Sequence, residues 1–200
     1  MARPLIDRRL KAELVRLYRA ADRHYHGLAH IEALLRLADE YRGSLSDPEA
    51  VQAAIWFHDA VYDSRAADNE ARSAALARER LALRADPDRL ARIAVMIEAT
   101  ATHVVPDFDD PDAAHDAALF LDMDLSILGA PPAEFERYEA AVRREFGWVS
   151  DAAWGSGRAA VLQGFLDRPH IFHSDQFRQR FEATARRNIS RSLDLLLNPD

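Results

Sequence analysis

Apolar residues recur every three to four positions along almost the whole chain, and no segment alternates apolar and polar residues for long enough to predict a strand. Leu10, Leu14 and Leu17 begin this pattern. Asp47-Pro48 and Asp86-Pro87 each combine a capping aspartate with a proline suited to the first position of a helix. The sequence therefore predicts an all-α fold.

The same periodicity and the turn residues between segments predict nine helices. They are expected at about 5–21, 28–42, 48–60, 69–84, 87–102, 112–128, 131–146, 150–166 and 175–197. No internal repeat or low-complexity linker separates them. A chain of 200 residues is the usual length of one domain, so residues 1–200 are expected to form a single domain.

The composition excludes several kinds of chemistry. The chain has no cysteine, so a disulfide framework, a cysteine zinc site, an iron–sulfur cluster and a thiol nucleophile are all excluded. Lys11 is its one lysine, which nearly excludes a Schiff base or a lysine phosphate clamp. Any bound anion must be held mainly by arginine, backbone amides or a metal ion.

Charge and hydropathy bear on partners and location. The net charge of −7 argues against stable binding of nucleic acid. No apolar run approaches the roughly 18 residues of a membrane span, and the N-terminus lacks the apolar core of a signal peptide. A cytoplasmic protein without a membrane partner is expected.

Two neighbouring polar residues fall at the end of an apolar helix. His58 lies within the arc that Val51, Ala54 and Ile55 define on a helical wheel, and Asp59 follows it directly. Burying a histidine beside a carboxylate is costly unless both have partners. A hydrogen-bonded core histidine beside an ordinary aspartate is the alternative interpretation of this pair.

The helix at 112–128 carries a second polar interruption. Asp124 falls between Phe120 and Ala117 on the wheel, within the apolar arc, whereas Asp122 falls outside it. Asp124 is therefore the expected inward carboxylate and Asp122 a flanking group. A buried carboxylate paired with an arginine is the alternative for Asp124.

A third group of polar residues opens the second helix. His26 and His30 are separated by four positions, and His30 directly precedes the apolar Ile31. Two histidines at this spacing could bind one metal ion, or one could be a ligand and the other an acid at the mouth of a site. The spacing alone is a weak signal.

Together these interruptions place four polar groups from three helices toward one core. His30, His58, Asp59 and Asp124 supply two nitrogens and two carboxylate oxygens. This set suits an octahedral or nearly octahedral divalent ion with positions left for water. Mn, Fe, Co, Ni, Zn and Mg all accept such ligands.

These residues resemble the HD-domain superfamily of metal-dependent phosphohydrolases, whose ligands run His … His-Asp … Asp. The stretch from Tyr25 to His30 is also similar to the Tyr-His-Asn-x-x-His stretch of cyclic-nucleotide phosphodiesterases, in which the first histidine is the acid and the second a ligand. Asp124-Leu125-Ser126 is similar to their Asp-Leu-Ser segment, whose aspartate is the last ligand.

A bacterial subgroup of HD proteins about 200 residues long gives a fuller resemblance. It extends over His-Asp-x-Val-Tyr-Asp at 58–63, Asp-Asn-Glu-x-x-Ser-Ala at 68–74 and an Ile-Phe-His … Asn segment at 171–188. The resemblance implies one HD-like helical bundle with a metal-binding core at about 22–129. A C-terminal helical elaboration would follow at about 130–200.

The resemblance also implies a function and roles for single residues. The chain is expected to hydrolyse a small phosphate ester, such as a nucleotide or a related phosphomonoester or diester. His26 would protonate the leaving oxygen, and Asp59 could bridge to a second ion. Because lysine is nearly absent, Arg23, directly before the histidine-rich segment, is the candidate for a phosphate contact, with a solvated surface arginine as the favoured alternative. Glu70 and Asp63 could orient water or act as a base, and helix capping is an equal alternative for Glu70.

Departures from the pattern leave other interpretations open. Only His103 and His115 can supply the extra histidines of dinuclear members, so one firmly bound ion with a weaker second is expected. A di-iron oxygenase, or a non-catalytic metal-stabilised regulatory or binding module, are the alternatives. A homodimer is left open, because late aromatic residues could form a partner surface, although core packing is the favoured interpretation of Trp148, Trp154, Phe165, Phe172 and Phe177.

Overall fold

The computed structural model describes residues 4–197, and within this range the chain is helical without any strand. The predicted all-α class is confirmed. The α-helices are α1 (Arg8–Leu17), α2 (Leu28–Glu40), α3 (Pro48–Phe57), α4 (Asn69–Leu81), α5 (Pro87–Ala99), α6 (Pro111–Leu125), α7 (Pro132–Glu145), α8 (Asp151–Leu166), α9 (Asp175–Phe177) and α10 (Ala183–Leu197). Short 3₁₀ turns follow α2 and α6, and a π-helical turn joins α9 to α10.

The predicted capping signals account for two of the helix starts. The Asp47 side chain accepts a hydrogen bond from Ala50 N at 3.1 Å, and Asp86 accepts one from Arg89 N at 2.9 Å. Each satisfies an N–H group that has no acceptor within the helix. Helix α1 is shorter than predicted, because it ends at Leu17 and the chain then makes turns up to the start of α2.

The chain divides into two compact units, Met1–Asp124 and Leu125–Asp200. Helix α3 is central to the first unit and packs against α2, α4 and α5. Seven of its ten residues are buried, so it has almost no solvent-facing side. Any polar group carried at its end must therefore find partners inside the unit.

The second unit is held together by polar side chains of its last helical segment. The Asn188 amide, only 1% exposed, donates to Leu128 O and Ala130 O at 2.9 Å each. The Glu182 carboxylate accepts hydrogen bonds from Ile171 N and Phe172 N. Glu182 and Asn188, which both lie within the 171–188 segment, therefore have a structural role in this unit.

Gly129 lies against the π-helical turn Arg178–Glu182 of the same unit. A Cβ at Gly129 would lie 2.6 Å from the Phe181 Cβ and 2.8 Å from the Phe181 carbonyl oxygen. Neither atom is at the end of a flexible side chain, so both would resist displacement. The position therefore accepts only glycine without a backbone shift.

In the described range, no helix is both long enough and apolar enough to cross a membrane.

Gly129→Ala is expected to destabilise the protein by about 2 kcal/mol, because the added methyl group overlaps the backbone of the π-helical turn. Gly157→Ala is the matched control in the same unit. A Cβ at Gly157 meets no atom within 4 Å, so this helical alanine should stabilise by about 1 kcal/mol. Urea unfolding measures both changes, and equal effects of the two substitutions would contradict the close approach at Gly129.

Candidate metal centre

His30 reaches the centre of the first unit from the first turn of α2. Its ring is buried, with 6% of the residue exposed, and it contacts the Tyr25 ring at a centroid distance of 4.8 Å. The helix begins directly after Gly27, so His30 shares the buried face of α2 with Ile31 and Leu34. This placement agrees with the predicted inward orientation of His30.

His58 and Asp59 follow the last residue of α3. His58 is 2% exposed, and its backbone N–H still donates to Ala54 O at 2.9 Å, as if the helix continued. Its ring meets the Phe120 ring edge to face at 5.9 Å. The chain leaves the helix at this point, so the two consecutive side chains can face one centre.

Asp124 lies near the end of α6, with 13% of its side chain exposed. The predicted choice of Asp124 over Asp122 as the carboxylate of the cluster agrees with the structure. The expectation that Asp122 lies outside the apolar arc is wrong, because Asp122 is completely buried. Every residue from Leu119 to Met123 is buried, so this part of α6 has no outer face for a helical wheel to find.

The polar atoms of these four side chains lie close together. His30 Nε2 lies 3.2 Å from His58 Nε2 and 3.1 Å from Asp124 Oδ1. His58 Nε2 lies 3.0 Å from Asp59 Oδ2 and 3.6 Å from Asp124 Oδ1. His30 Nε2 and Asp59 Oδ2 are 3.9 Å apart. His30, His58 and Asp124 of the predicted ligand set therefore meet at one point, and Asp59 lies beside both histidine nitrogens.

The hydrogen bonds around this point show which atoms carry lone pairs. His58 Nδ1 lies 3.0 Å from Ile55 O, and since a carbonyl only accepts, Nδ1 is the protonated nitrogen. In the neutral ring, Nε2 then presents a lone pair to the two carboxylates. A backbone carbonyl bound to the far nitrogen is the usual way in which a metal-binding histidine is oriented.

The pKa values show how the charges at this point balance one another. Burial lowers the pKa of the His58 imidazole, but the charges of Asp59 and Asp124 outweigh burial and raise that pKa from 6.5 to about 9. Burial raises the pKa of Asp59, whereas the charges of His58 and His26 hold it well below its usual range. The pKa of Asp124 is also lowered, against burial, by His58 and His103. A proton on His58 occupies the place that a metal ion would take.

The donor set fits a divalent metal ion. His30, His58 and Asp124 form a group whose ligand atoms all lie within 4.8 Å of one another and which could hold such an ion. Two ligands bound at right angles at about 2.1 Å from an ion are about 3.0 Å apart, close to several of the separations seen here. Asp59 Oδ2 lies at the same spacing from His58 Nε2.

His103 contacts the outer side of this cluster. Its Nε2 lies 2.9 Å from Asp124 Oδ2, while Asp124 Oδ1 faces His30. Among the described residues other than glycine, His103 alone has a positive φ, at 50°. A left-handed backbone is unfavourable for a histidine, so the surrounding structure must hold it there. His115, the other candidate from the sequence, is exposed, and its Nε2 lies 3.1 Å from Ser44 O.

The structure places Arg23 against the backbone rather than at the centre of the cluster. Its Nη1 donates to His26 O at 2.9 Å and to Asp59 O at 2.6 Å, and its Nη2 donates to Ala60 O at 3.1 Å. Three of its five N–H groups are thus used within the chain. The phosphate contact expected for Arg23 stays a prediction, and the contacts shown are structural.

His26 lies beside the cluster and stacks on Tyr62. The two rings are 4.5 Å apart at an angle of 26°, and the His26 ring lies 6.4 Å from the ring of His30. Tyr62 comes from the segment that follows Asp59, so the segments before α2 and after α3 meet at this ring pair. The sequence did not single out Tyr62, although it stands in the His-Asp-x-Val-Tyr-Asp motif.

The segment after α3 is fixed by side chains of α4 that the sequence reasoning missed. Asn69, 9% exposed, accepts from Asp63 N at 3.0 Å and donates to Asp63 O at 2.9 Å. The buried Ser73 hydroxyl accepts from Val61 N at 3.0 Å and lies 3.2 Å from Val61 O. The Asp-Asn-Glu-x-x-Ser motif could have indicated these contacts. Its Asn69 and Ser73 are four positions apart, so they share one face of α4 and can both bind the same neighbouring segment.

Two predicted catalytic residues, Asp63 and Glu70, lie in the same region and have local roles in the structure. Asp63 is exposed, and its Oδ1 accepts from Arg65 N at 2.9 Å, which is a local turn contact. Glu70 lies in the first turn of α4, where a negative charge interacts favourably with the helix dipole. Their suggested roles toward water remain predictions.

Comparison with known proteins found no match: no family model fits the sequence, and neither a curated protein nor a solved structure is significantly similar to it.

The metal-free protein is expected to lose stability as the pH rises from about 6.5 through about 9. The folded-state pKa of His58 is raised, so its contribution is complete below the unfolded pKa and is lost as the folded protein gives up this proton. The lowered pKa values of Asp59 and Asp124 affect stability at acidic pH. Their contribution to the stability of the fold is lost as the pH falls below about 3.8. Urea unfolding in a chelating buffer measures this profile.

Two variants test the origin of the alkaline decline. His58→Gln should remove most of it, whereas His24→Gln, at an exposed histidine, should leave it unchanged. A saturating divalent ion should also abolish the decline, because the ion takes the place of the proton. A stability that stays constant from pH 6.5 to 9 without metal would contradict the charge balance described for the cluster.

Proposed function

We propose that this protein is a metal-dependent phosphohydrolase of the HD-domain superfamily that acts on a small phosphate ester, such as a nucleotide. One observation carries the proposal: polar atoms of His30, His58 and Asp124 lie 3.1–3.6 Å apart, and Asp59 Oδ2 lies 3.0 and 3.9 Å from the two histidine nitrogens. Their order in the chain, His30, His58-Asp59 and Asp124, is the order of the ligands in that superfamily.

These four residues would hold one divalent ion. Mn, Fe, Co, Ni, Zn and Mg all accept nitrogen and carboxylate ligands, and four protein ligands leave positions for water and substrate. A bound ion would lower the pKa of water and polarise a phosphoryl oxygen. A second, weaker ion would be held by His103, which lies beside Asp124 Oδ2, together with Asp59.

The residues of the chain supply positioning and proton transfer. The buried His30 and His58 would exclude bulk water from one side of the phosphate group. His26, next to the cluster and stacked on Tyr62, donates a ring N–H proton to the leaving oxygen. Asp63 or Glu70 accepts a proton from water on the more open side. The substrate is a small phosphorylated molecule, because the metal is the main anion-binding group.

A non-catalytic module in which the ion only stabilises the fold is the second candidate. One observation favours it: the cluster joins three separate helical segments, so an ion there would crosslink them as a structural metal does. Both candidate functions use the same metal ligands, but only hydrolysis requires His26 as an acid. A measurement of turnover therefore distinguishes them.

Metal content and hydrolysis test the proposal together. The protein reconstituted with Mn²⁺ or Co²⁺ is expected to hydrolyse at least one ester in a panel of nucleotides, cyclic nucleotides and p-nitrophenyl phosphates. His58→Ala and Asp124→Asn should each lower bound metal by more than about tenfold, because each removes a ligand. Elemental analysis after dialysis measures the metal, and release of phosphate or p-nitrophenol measures turnover.

His26→Asn separates catalysis from folding. It should lower turnover by about 10²–10⁴-fold while bound metal stays at the wild-type level, since His26 is not a ligand in the proposed arrangement. His115→Gln is the exposed control and should change neither quantity. Tight metal binding without hydrolysis of any ester would support the structural module. Metal retained in full by both ligand variants would overturn the site itself.

A further inference from the structure

Arg23 connects the two segments that carry the proposed acid and one proposed ligand. Its guanidinium lies between the turn before α2, which contains His26, and the turn after α3, which contains Asp59. We propose that Arg23 is a positioning residue that sets the distance between the His26 imidazole and the Asp59 carboxylate. The inference rests on the proposed function, because it assigns the acid and the ligand as that function does.

The hydrogen bonds act on the main chains of both residues at once. A single nitrogen, Nη1, donates to His26 O at 2.9 Å and to Asp59 O at 2.6 Å. Both carbonyl groups are therefore hydrogen-bonded to the same nitrogen atom. A shift of the backbone at His26 or at Asp59 would also move the side chain of that residue. Nη2 adds Ala60 O at 3.1 Å, which fixes the rotation of the guanidinium plane.

Aromatic rings fix the guanidinium in place and extend its effect to the His26 side chain. Arg23 Cζ lies 5.1 Å from the centroid of Tyr18 and 5.4 Å from that of Tyr62. Tyr18 is buried, and its hydroxyl donates to Trp56 O at 3.0 Å, which ties the ring to α3. Tyr62 in turn stacks on the His26 ring at 4.5 Å. Arg23 thus controls the His26 backbone directly and the His26 ring through Tyr62.

Lysine cannot replace this arrangement. A guanidinium presents several N–H groups in one rigid plane, whereas an ammonium group is a compact charge on a flexible stem. Arg23→Lys keeps the charge but cannot reach the carbonyls of His26, Asp59 and Ala60 in one geometry. The distance between acid and ligand should then vary, and a displacement of about 1 Å is enough to lower a rate by about 10²-fold.

Cobalt binding is the first test, because it needs no substrate. Arg23→Lys is expected to weaken Co²⁺ binding about tenfold, the effect seen when an outer partner of a ligand is lost, through a less fixed Asp59. Arg19→Lys, at an exposed arginine four residues earlier, should bind Co²⁺ as the wild type does. The Co²⁺ absorption spectrum should change in Arg23→Lys and recover in Arg23→Gly when guanidinium ion is added at millimolar concentration. Unchanged affinity and spectrum in Arg23→Lys would overturn the proposal.

The position of His26 is the second test. In the Co²⁺-loaded protein, the His26 ring protons carry paramagnetic shifts that depend on their distance from the ion. These shifts should move in Arg23→Lys and also in Tyr62→Leu, which removes the stacked ring and keeps the Arg23 hydrogen bonds. Tyr62→Leu should leave Co²⁺ affinity unchanged, because Arg23 still holds Asp59. Wild-type His26 shifts in Arg23→Lys would overturn the role assigned to Arg23.

The choice of leaving group links the test to catalysis. An acid matters most when the leaving oxygen is a poor leaving group, so Arg23→Lys should lower the rate on phenyl phosphate about tenfold more than on p-nitrophenyl phosphate. Equal losses on both esters would indicate a general structural effect and contradict the positioning of the acid. If the wild type hydrolyses neither ester, the proposed function fails, while the cobalt and NMR results still decide whether Arg23 positions His26 and Asp59.

Discussion

The first unit depends on one electrostatic condition, which is that the charges of Asp59 and Asp124 must be balanced where these carboxylates meet His30 and His58. His58 Nε2 faces Asp59 and Asp124 at hydrogen-bonding distance while its Nδ1 is committed to Ile55 O. Without a cation these lone pairs would repel each other inside a core that excludes water. A proton on His58 meets the condition in part, and a divalent ion with its larger charge meets it better. The raised pKa of His58 and the proposed affinity for metal would therefore be two results of one arrangement.

The neighbouring polar contacts keep these acceptors at fixed positions. Arg23 holds the carbonyls of His26 and Asp59, and Asn69 holds both backbone groups of Asp63. On the far side, His103 holds the outer oxygen of Asp124 at the cost of a left-handed backbone. All these contacts orient ligands or the segments that carry them. Under the proposed function, a cluster supported in this way would change little when an ion enters, which would favour tight binding.

The sequence predicted the helices and the cluster because both depend on local patterns. Capping residues and a period of three to four place α3, and an interrupted apolar stripe reveals His58 and Asp124. The pattern failed for Asp122, because a helix buried on all sides has no polar face for comparison. It also gave no sign of the backbone contacts of Arg23, whose partners Asp59 and Ala60 lie 36 and 37 positions away. Contacts to backbone carbonyls that far along the chain cannot be predicted from the spacing of apolar residues, because every residue has a backbone carbonyl.

The commitment of Arg23 to the backbone bears on how a phosphate would be bound under the proposed function. Arg23 is the arginine next to the cluster in sequence, and three of its five N–H groups already have carbonyl partners. The metal ion then carries most of the attraction for the anion, in a chain with a single lysine. Substrate affinity should consequently follow metal occupancy closely. The arginine instead determines geometry, so its substitution should affect kcat more than KM, as is expected for a group that acts on the transition state through the placement of others.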